Sequence, residues 1–280
     1  MTLLVLGASS QIGRFLLPRL REAGHAVLAL SRRPQPAMLG VRWIEGGLPE
    51  AMPRDLPPLS GIVSYGPLLP FAQWLAQAPL RGLPRIVATS SMSAQTKRDS
   101  VVAAEREIAR LLHEGEQTLA DACAARGLAW MVLRPTIVYG AGLDRSLTPI
   151  ARRAARLRLF PLPAGRGLRQ PVHADDIALA SIAALDPSAA GGVVVPIGGG
   201  ERLTAAQMFA RVRDSLPVAT VPLPVPSVAL HLAARLAPKL RGPLGRLDED
   251  LVADNTALLR LLGVQPRPFR PDAGCWGPAR

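Results

Sequence analysis

The stretch Thr2-Leu3-Leu4-Val5-Leu6-Gly7-Ala8-Ser9-Ser10-Gln11-Ile12-Gly13-Arg14 limits what this chain can fold into more than any other. Thr2 to Leu6 are apolar or β-favouring and predict a short buried strand. A turn of small residues follows at once, and Ile12, Phe15, Leu16 and Leu20 then recur with helical spacing. Strand, tight turn and helix in immediate succession is how a dinucleotide-binding unit opens. Gly7 allows the sharp turn, and Gly13 lets the helix pack close to the strand. The unpaired N–H groups at the helix start, with the helix dipole behind them, suit a pyrophosphate. Gly7, Ser9, Ser10, Gln11, Ile12 and Gly13 are therefore candidate cofactor residues. Ser10 stands where a middle glycine is common; it is small enough for a phosphate to approach, and its hydroxyl can donate to one.

The next segments repeat the alternation. Residues 25–30 predict a second strand that ends in Ser31-Arg32-Arg33. The end of this strand faces the adenosine ribose in a dinucleotide fold, where an acidic residue would select NAD. Two arginines and no acid favour the 2′-phosphate of NADP over NAD. Val41 to Ile44 predicts a third strand, followed by Leu48 as a candidate border of the adenine. Leu59 to Tyr65 predicts another, with Ser64, Tyr65 and Gly66 at its end near the cofactor. Arg85 to Ser91 ends in three hydroxyls, Thr89, Ser90 and Ser91, where ligands of open α/β sheets gather. A long helix follows, capped from Asp99 or Ser100, with Val101, Ile108, Leu111, Leu112, Leu119 and Cys123 as its expected buried face. Gly127 stops it before the strand Ala129 to Arg134. The expected fold class is α/β, a Rossmann-type doubly wound parallel sheet with a smaller C-terminal substrate lobe.

Composition narrows the classes further. A chain of 280 residues with 49% apolar side chains can bury a sizeable core. It has no uninterrupted apolar run long enough to span a bilayer and no secretory leader pattern at its start. Two cysteines, Cys123 and Cys275, make neither a disulfide framework nor a zinc pattern, so a reduced cytoplasmic setting is expected. The formal net charge is +12, nearly all of the cations being arginine. Arginine suits bidentate recognition of phosphate. No basic run is interleaved with aromatics, so nucleic acid is not expected as a partner. Attraction to an anionic membrane surface is the weaker reading of the charge.

Several motifs in fixed order carry a resemblance. The Gly7…Gly13 turn, the strand end Thr89-Ser90-Ser91, the run Leu133-Arg134-Pro135-Thr136-Ile137-Val138-Tyr139-Gly140, and Pro171-Val172-His173-Ala174-Asp175-Asp176-Ile177-Ala178 follow one another. Residues 246–255 add a similar tail. Together they resemble the short-chain dehydrogenase/reductase superfamily in its extended or atypical branch, the NAD(P)-dependent epimerase/dehydratase family of nucleotide-sugar type. The resemblance implies that Ser91 hydrogen-bonds the reacting oxygen and that Pro135 borders the nicotinamide. It implies that Arg169, four residues before His173, and Arg246 hold a substrate diphosphate. His173, Asp175 and Asp176 are expected as a structural turn with an aspartate capping the following helix, not as a metal site.

The resemblance breaks at the acid–base pair. The family's chemistry rests on a tyrosine and a lysine one helical turn apart, the ammonium lowering the phenol's pKa. The only tyrosines are Tyr65 and Tyr139, and four residues beyond them stand Leu69 and Leu143. Counting back from Glu116-Gln117 puts Ile108 and Leu112 at the two positions. Lys97, on the loop after Ser91, is the candidate replacement; His113 is turned about 100° away from the vacant position. The expected function is an NAD(P)-binding epimerase/dehydratase- or reductase-like protein acting on a nucleotide-sugar or similar anionic carbonyl substrate. The alternative is a non-catalytic NADP(H)-binding sensor or assembly protein.

The second half supplies the lobe. Residues 147–159 predict a basic helix, 165–169 a loop leading to Arg169, and Val193 to Ile197 a return to the sheet. A helix over 203–216 is capped from Thr204. A proline-rich linker, an amphipathic stretch over 228–240 and a last helix over 256–262 follow. The expected division is residues 1–146 with 171–198 as the dinucleotide-binding domain, and 147–170 with 199–280 as the substrate lobe. A monomer or homodimer without integral membrane contact is expected.

Overall fold

The structure, a computed structural model, describes residues 1–226, 228 and 246–277. Apart from Val228, the amphipathic stretch over 228–240 lies outside these residues. Seven parallel strands form the central sheet: β1 (Thr2–Leu6), β2 (Ala26–Ser31), β3 (Val41–Glu45), β4 (Gly61–Ser64), β5 (Arg85–Thr89), β6 (Trp130–Pro135) and β11 (Val193–Ile197). Their order is β11-β6-β5-β4-β1-β2-β3. The strand order reverses at β1, which pairs with β2 on one side and β4 on the other. Ligands of such sheets bind at this switch point, beyond the carboxyl ends of the strands. The residues that follow β1 and β4 are Gly7 and Tyr65-Gly66.

Helices cover both faces, because parallel strands bury apolar side chains on each side. On one face, α1 (Gly13–Glu22) and α6 (Ala174–Leu185) bury Leu16, Leu20, Ile177 and Ala180 against Val5, Val63 and Val87. On the other, α2 (Leu68–Gln77) and α4 (Ala103–Arg126) bury Phe71, Leu75, Leu119 and Cys123 against Leu4, Ile62 and Ile86. A third core gathers Tyr139, Leu147, Phe160, Phe209, Phe269 and Trp276. Around it lie α5 (Thr148–Leu157), α7 (Ala205–Asp214) and the parallel ribbon of β8 (Leu159–Pro163) and β13 (Val221–Val225). Two short pairs complete the strands, β7 (Val138–Tyr139) with β10 (Val172–His173) and β9 (Leu168–Arg169) with β12 (Leu203–Thr204). Thr204 caps α7 in a reciprocal capping box with Gln207.

Three sequence expectations differ from the structure. The last helix, α8 (Thr256–Leu262), was assigned to the lobe by chain order, yet its Leu258 is fully buried in the first sheet core beside α6. Tyr139, placed in the sheet domain, sits at the centre of the third core. Helix α4 buries Glu105, Ala109, Gly115, Glu116, Leu119, Ala122 and Cys123. Val101, Ile108 and Leu111, expected inside, are exposed. Two carboxylates occupy buried positions that an apolar count passes over, each satisfied by an arginine. Arg134 of β6 grips Glu116 through both nitrogens of its fork, and Arg246 pairs with Glu105.

Candidate functional site

The turn after β1 is shaped by two close approaches. Gly7 has φ +70°, and a Cβ there would lie 3.1 Å from Tyr65 Cβ on the neighbouring turn. A methyl on Gly13 would run into the Ala8 carbonyl oxygen. The Ser10 hydroxyl oxygen accepts from the Gly13 amide at 3.2 Å and keeps its proton for an incoming group. Among the described residues, nothing accepts from the amides of Gln11 and Ile12. A helix end carrying unpaired N–H groups is an anion site by its own dipole.

The neighbouring strand ends carry buried polar atoms that lack a partner among the described residues: Ser64 Oγ at the end of β4, Ser90 Oγ after β5, and Gln11 Oε1 on the first turn. Buried hydroxyls are rarely left so unless a ligand or water completes them. Leu48 reaches over Gly66, where a Cβ would stand 3.4 Å from Leu48 Cδ1. The Pro135 carbonyl accepts from the Met92 amide at 2.9 Å, joining the end of β6 to the Ser91 segment. Thr89 reaches the Ser64 carbonyl only through a long 3.5 Å contact. A close backbone cradle with unpaired amides and hydroxyls fits the polar groups of a dinucleotide.

Two of the expected cofactor side chains are used elsewhere. The Ser31 hydroxyl donates to the Arg33 carbonyl and accepts from the Arg33 amide and Gln35 Nε2. All three of its hydrogen-bonding capacities are filled, so it shapes the loop instead of meeting a ribose. The Tyr65 phenol turns into the body and donates to Ser181 Oγ of α6 at 2.9 Å. Burial pushes its pKa up. Tyr65 thus reaches the site through its backbone. Arg32 and Arg33 are exposed beyond β2, and the Arg32 stem lies against Gly47, 2.8 Å from where a Cβ would be.

Further along the chain from Ser91, Lys97, Glu105 and Arg246 form a charged cluster. Ser91 Oγ accepts from the Ser93 amide at 3.1 Å, and among the described residues nothing accepts its proton, which leaves it available to a substrate oxygen. Half-buried Lys97 follows the short helix α3 (Ser93–Thr96). Burial and then the Arg246 charge hold its ammonium below the usual lysine range, with Glu105 opposing. Glu105, on the first turn of α4, accepts from Ser100 Oγ at 2.7 Å and from Arg246. The vacant pair lies on the same helix one and two turns on. Ile108 is exposed and Leu112 half-buried, with Glu116 marking the register.

Both diphosphate candidates are engaged by protein. Arg169 is buried, and its guanidinium donates to the carbonyls of Leu168 at 2.9 Å, Glu249 at 2.5 Å and Arg246. That corrects its expected role: it straps the turn that carries Arg246, because a buried guanidinium needs acceptors and finds them in that turn. Arg246 is held by Glu105.

The His173-Ala174-Asp175-Asp176 segment is structural, with a different cap from the one expected. His173 Nδ1, not an aspartate, accepts from the Asp175 amide at 3.1 Å. Asp175 binds Arg19 of α1 through both oxygens, at 2.7 and 2.8 Å, and also Arg267 at 2.8 Å. Asp176 accepts from the Arg267 side chain and amide. Sequence reasoning missed Arg19 and Arg267, which lie far from the motif in the chain. Among the described residues no cluster of three His, Cys, Asp or Glu side chains forms a metal site.

The model of the NAD dependent epimerase/dehydratase family matches residues 97–198. No protein of curated function matches the sequence. Among solved structures, MoeE5 in complex with UDP-glucuronic acid and NAD is similar with a TM-score of 0.74 and 20% identity over 98% of this chain and 97% of that one. The UDP-N-acetylglucosamine 4-epimerase from Bacillus cereus gives 0.69 and 15% over 99% and 94%. The UDP-glucuronic acid 4-epimerase from Bacillus cereus in complex with NAD gives 0.71 and 14% over 98% and 97%. The chain has the fold of these proteins, and its residues 97–198 carry the sequence pattern of the NAD dependent epimerase/dehydratase family.

Proposed function

We propose that the chain is an NADP(H)-dependent epimerase/dehydratase- or reductase-like protein that acts on the carbonyl or secondary alcohol of a nucleotide-linked sugar or similar anionic compound. The observation that carries this reading is the cradle at the switch point, with its unpaired amides and the buried, partnerless Ser64 and Ser90 hydroxyls. The Gly7–Gly13 turn holds the pyrophosphate, Leu48 and Gly66 border the adenine side, and Pro135 stands beside the nicotinamide. Arg32 and Arg33, with no acid at the end of β2, support NADP over NAD. A nicotinamide held there supplies a hydride donor or acceptor. Ser91 donates its free proton to the substrate oxygen and polarises the carbon it is bonded to. Lys97, whose ammonium sits below its ordinary pKa, supplies or accepts the proton that the missing tyrosine would exchange.

Fluorescence titration with NADPH and NADH, followed by hydride exchange over a panel of nucleotide sugars, tests this reading. Tighter NADPH binding is expected, with the preference lost in Arg32→Ala. Turnover is expected to fall about a hundredfold or more in Ser91→Ala and Lys97→Met. A preference for NADH in the native protein would sink the cofactor assignment. The second reading, a non-catalytic dinucleotide-binding protein, is favoured by the apolar Ile108 and Leu112. It prevails if NADPH binds tightly, no substrate turns over, and Ser91→Ala changes nothing.

A further inference from the structure

The excess positive charge of the chain is not spread over its length. Residues 145–174 and 215–247 contain eleven Lys and Arg and no Asp or Glu, while the remainder contains 22 Lys and Arg against 21 Asp and Glu. Almost the whole +12 therefore resides in two acid-free stretches that are far apart in sequence. The structure pairs one strand of each, and the exposed cations just before β8 are Arg153, Arg156 and Arg158. β8 belongs to the first stretch and β13 to the second, and the two strands pair in parallel with Leu159 opposite Val221 and Pro161 opposite Leu223.

Phe160 turns inward from this ribbon and is fully buried, so its neighbours must turn outward. Leu159 is 48% exposed, Val221 62% and Leu223 53%; Leu157, at the end of α5, is 55% exposed. Three large aliphatic side chains and exposed Pro161 thus share the ribbon's outer face, and exposed Leu157 ends the helix that leads into it. Arg153 and Arg156 on α5 stand beside it, exposed, and neither pairs with a carboxylate among the described residues. Arg158 turns the chain from α5 into β8 at φ 57°, in the left-handed region that side chains seldom adopt.

We propose that this face docks the protein on an anionic lipid surface. Arginines without counter-ions are drawn to anionic headgroups, and aliphatic side chains between them enter the acyl boundary. A nucleic acid would use the arginines but leave the leucines exposed, and the ribbon offers no aromatic ring for a base to stack on. No described helix is long and apolar enough to cross a membrane, so the contact is peripheral. The inference is independent of the cofactor site and of its chemistry.

Co-sedimentation of the full chain with phosphatidylcholine vesicles, with and without about one third phosphatidylglycerol, tests it. Binding to the anionic vesicles is expected, about tenfold or more tighter than to the neutral ones and weakened by salt. The double variants Leu159→Glu/Leu223→Glu and Arg153→Glu/Arg156→Glu are each expected to lose about tenfold or more. All four side chains are exposed, and unchanged circular dichroism and NADPH affinity establish that the variants remain folded. Equal binding to both kinds of vesicle, or none to either, overturns the proposal. So does an arginine variant that loses binding while the leucine variant keeps it, or tighter binding to a single-stranded RNA oligonucleotide than to anionic vesicles.

Discussion

Gly13 shows how one absent methyl decides a site. Its Cα lies so near the Ala8 carbonyl that any Cβ there forces backbone apart. Gly13→Ala is expected to cost about 2 kcal/mol of stability and to weaken NADPH binding about tenfold or more, because α1 can no longer bring its amides up to the turn. Thermal melts and a fluorescence titration read the two effects; an unchanged NADPH affinity would refute the cradle as drawn. This turn was legible in the sequence because its chemistry is local: a strand, two glycines and a helix within 13 residues. Ser31 and Tyr65 were misjudged for the opposite reason. Their positions beside the site are local, but their hydroxyl partners, Gln35 and Ser181, are chosen by how the chain packs.

At the level of the element, α4 is where periodicity misled. Its buried stripe includes Glu105 and Glu116, and its leucine and isoleucine at 111 and 108 face outward. Such a stripe is stable only because Arg246 and Arg134 arrive from distant segments, since an unpaired buried carboxylate costs several kcal/mol. Glu105 also bears on the proposed substrate, for it occupies the guanidinium that a diphosphate would need. Glu105→Gln is expected to raise affinity for a nucleoside diphosphate such as UDP by about tenfold, with calorimetry as the measurement. Affinity that stays the same would mean that Arg246 is not part of the binding site. Helix α8 carries a separate expectation. Leu258→Ala removes a fully buried side chain from the first sheet core and is expected to cost about 2–5 kcal/mol.

Across the whole molecule, pH acts through the clasp at the start of α6. Burial acts to raise the Asp175 pKa, but the hydrogen bonds and charges of Arg19 and Arg267 together hold it below its ordinary value. Its contribution is complete above the unfolded-state value and is lost as pH falls through the folded one. His173 is held below its ordinary value first by burial and then by the Arg267 charge, while Asp175, Asp176 and Asp272 oppose. A base with a depressed folded pKa likewise favours the native state above its unfolded value near 6.5 and loses that advantage as pH falls. Stability is therefore expected to decline in two stages on acidification, the first beginning near pH 6.5. The first stage should shrink in a His173 variant that remains folded, such as His173→Asn, leaving the part due to His25, which burial also holds below its ordinary value; urea titrations over pH 4–8 check this.

The same clasp sets when the protein can be finished. Asp175 is gripped by Arg19, 156 positions earlier, and by Arg267, 92 positions later. A nascent chain that has delivered all seven strands of the sheet still lacks Arg267, and it lacks Leu258, the plug of the first core. Until those last residues are made, the first core beside α6 and β11 lacks Leu258, and Asp175 has half its cations. A chain cut short before Arg267 is therefore expected to show apolar surface there and to aggregate more readily than the full chain.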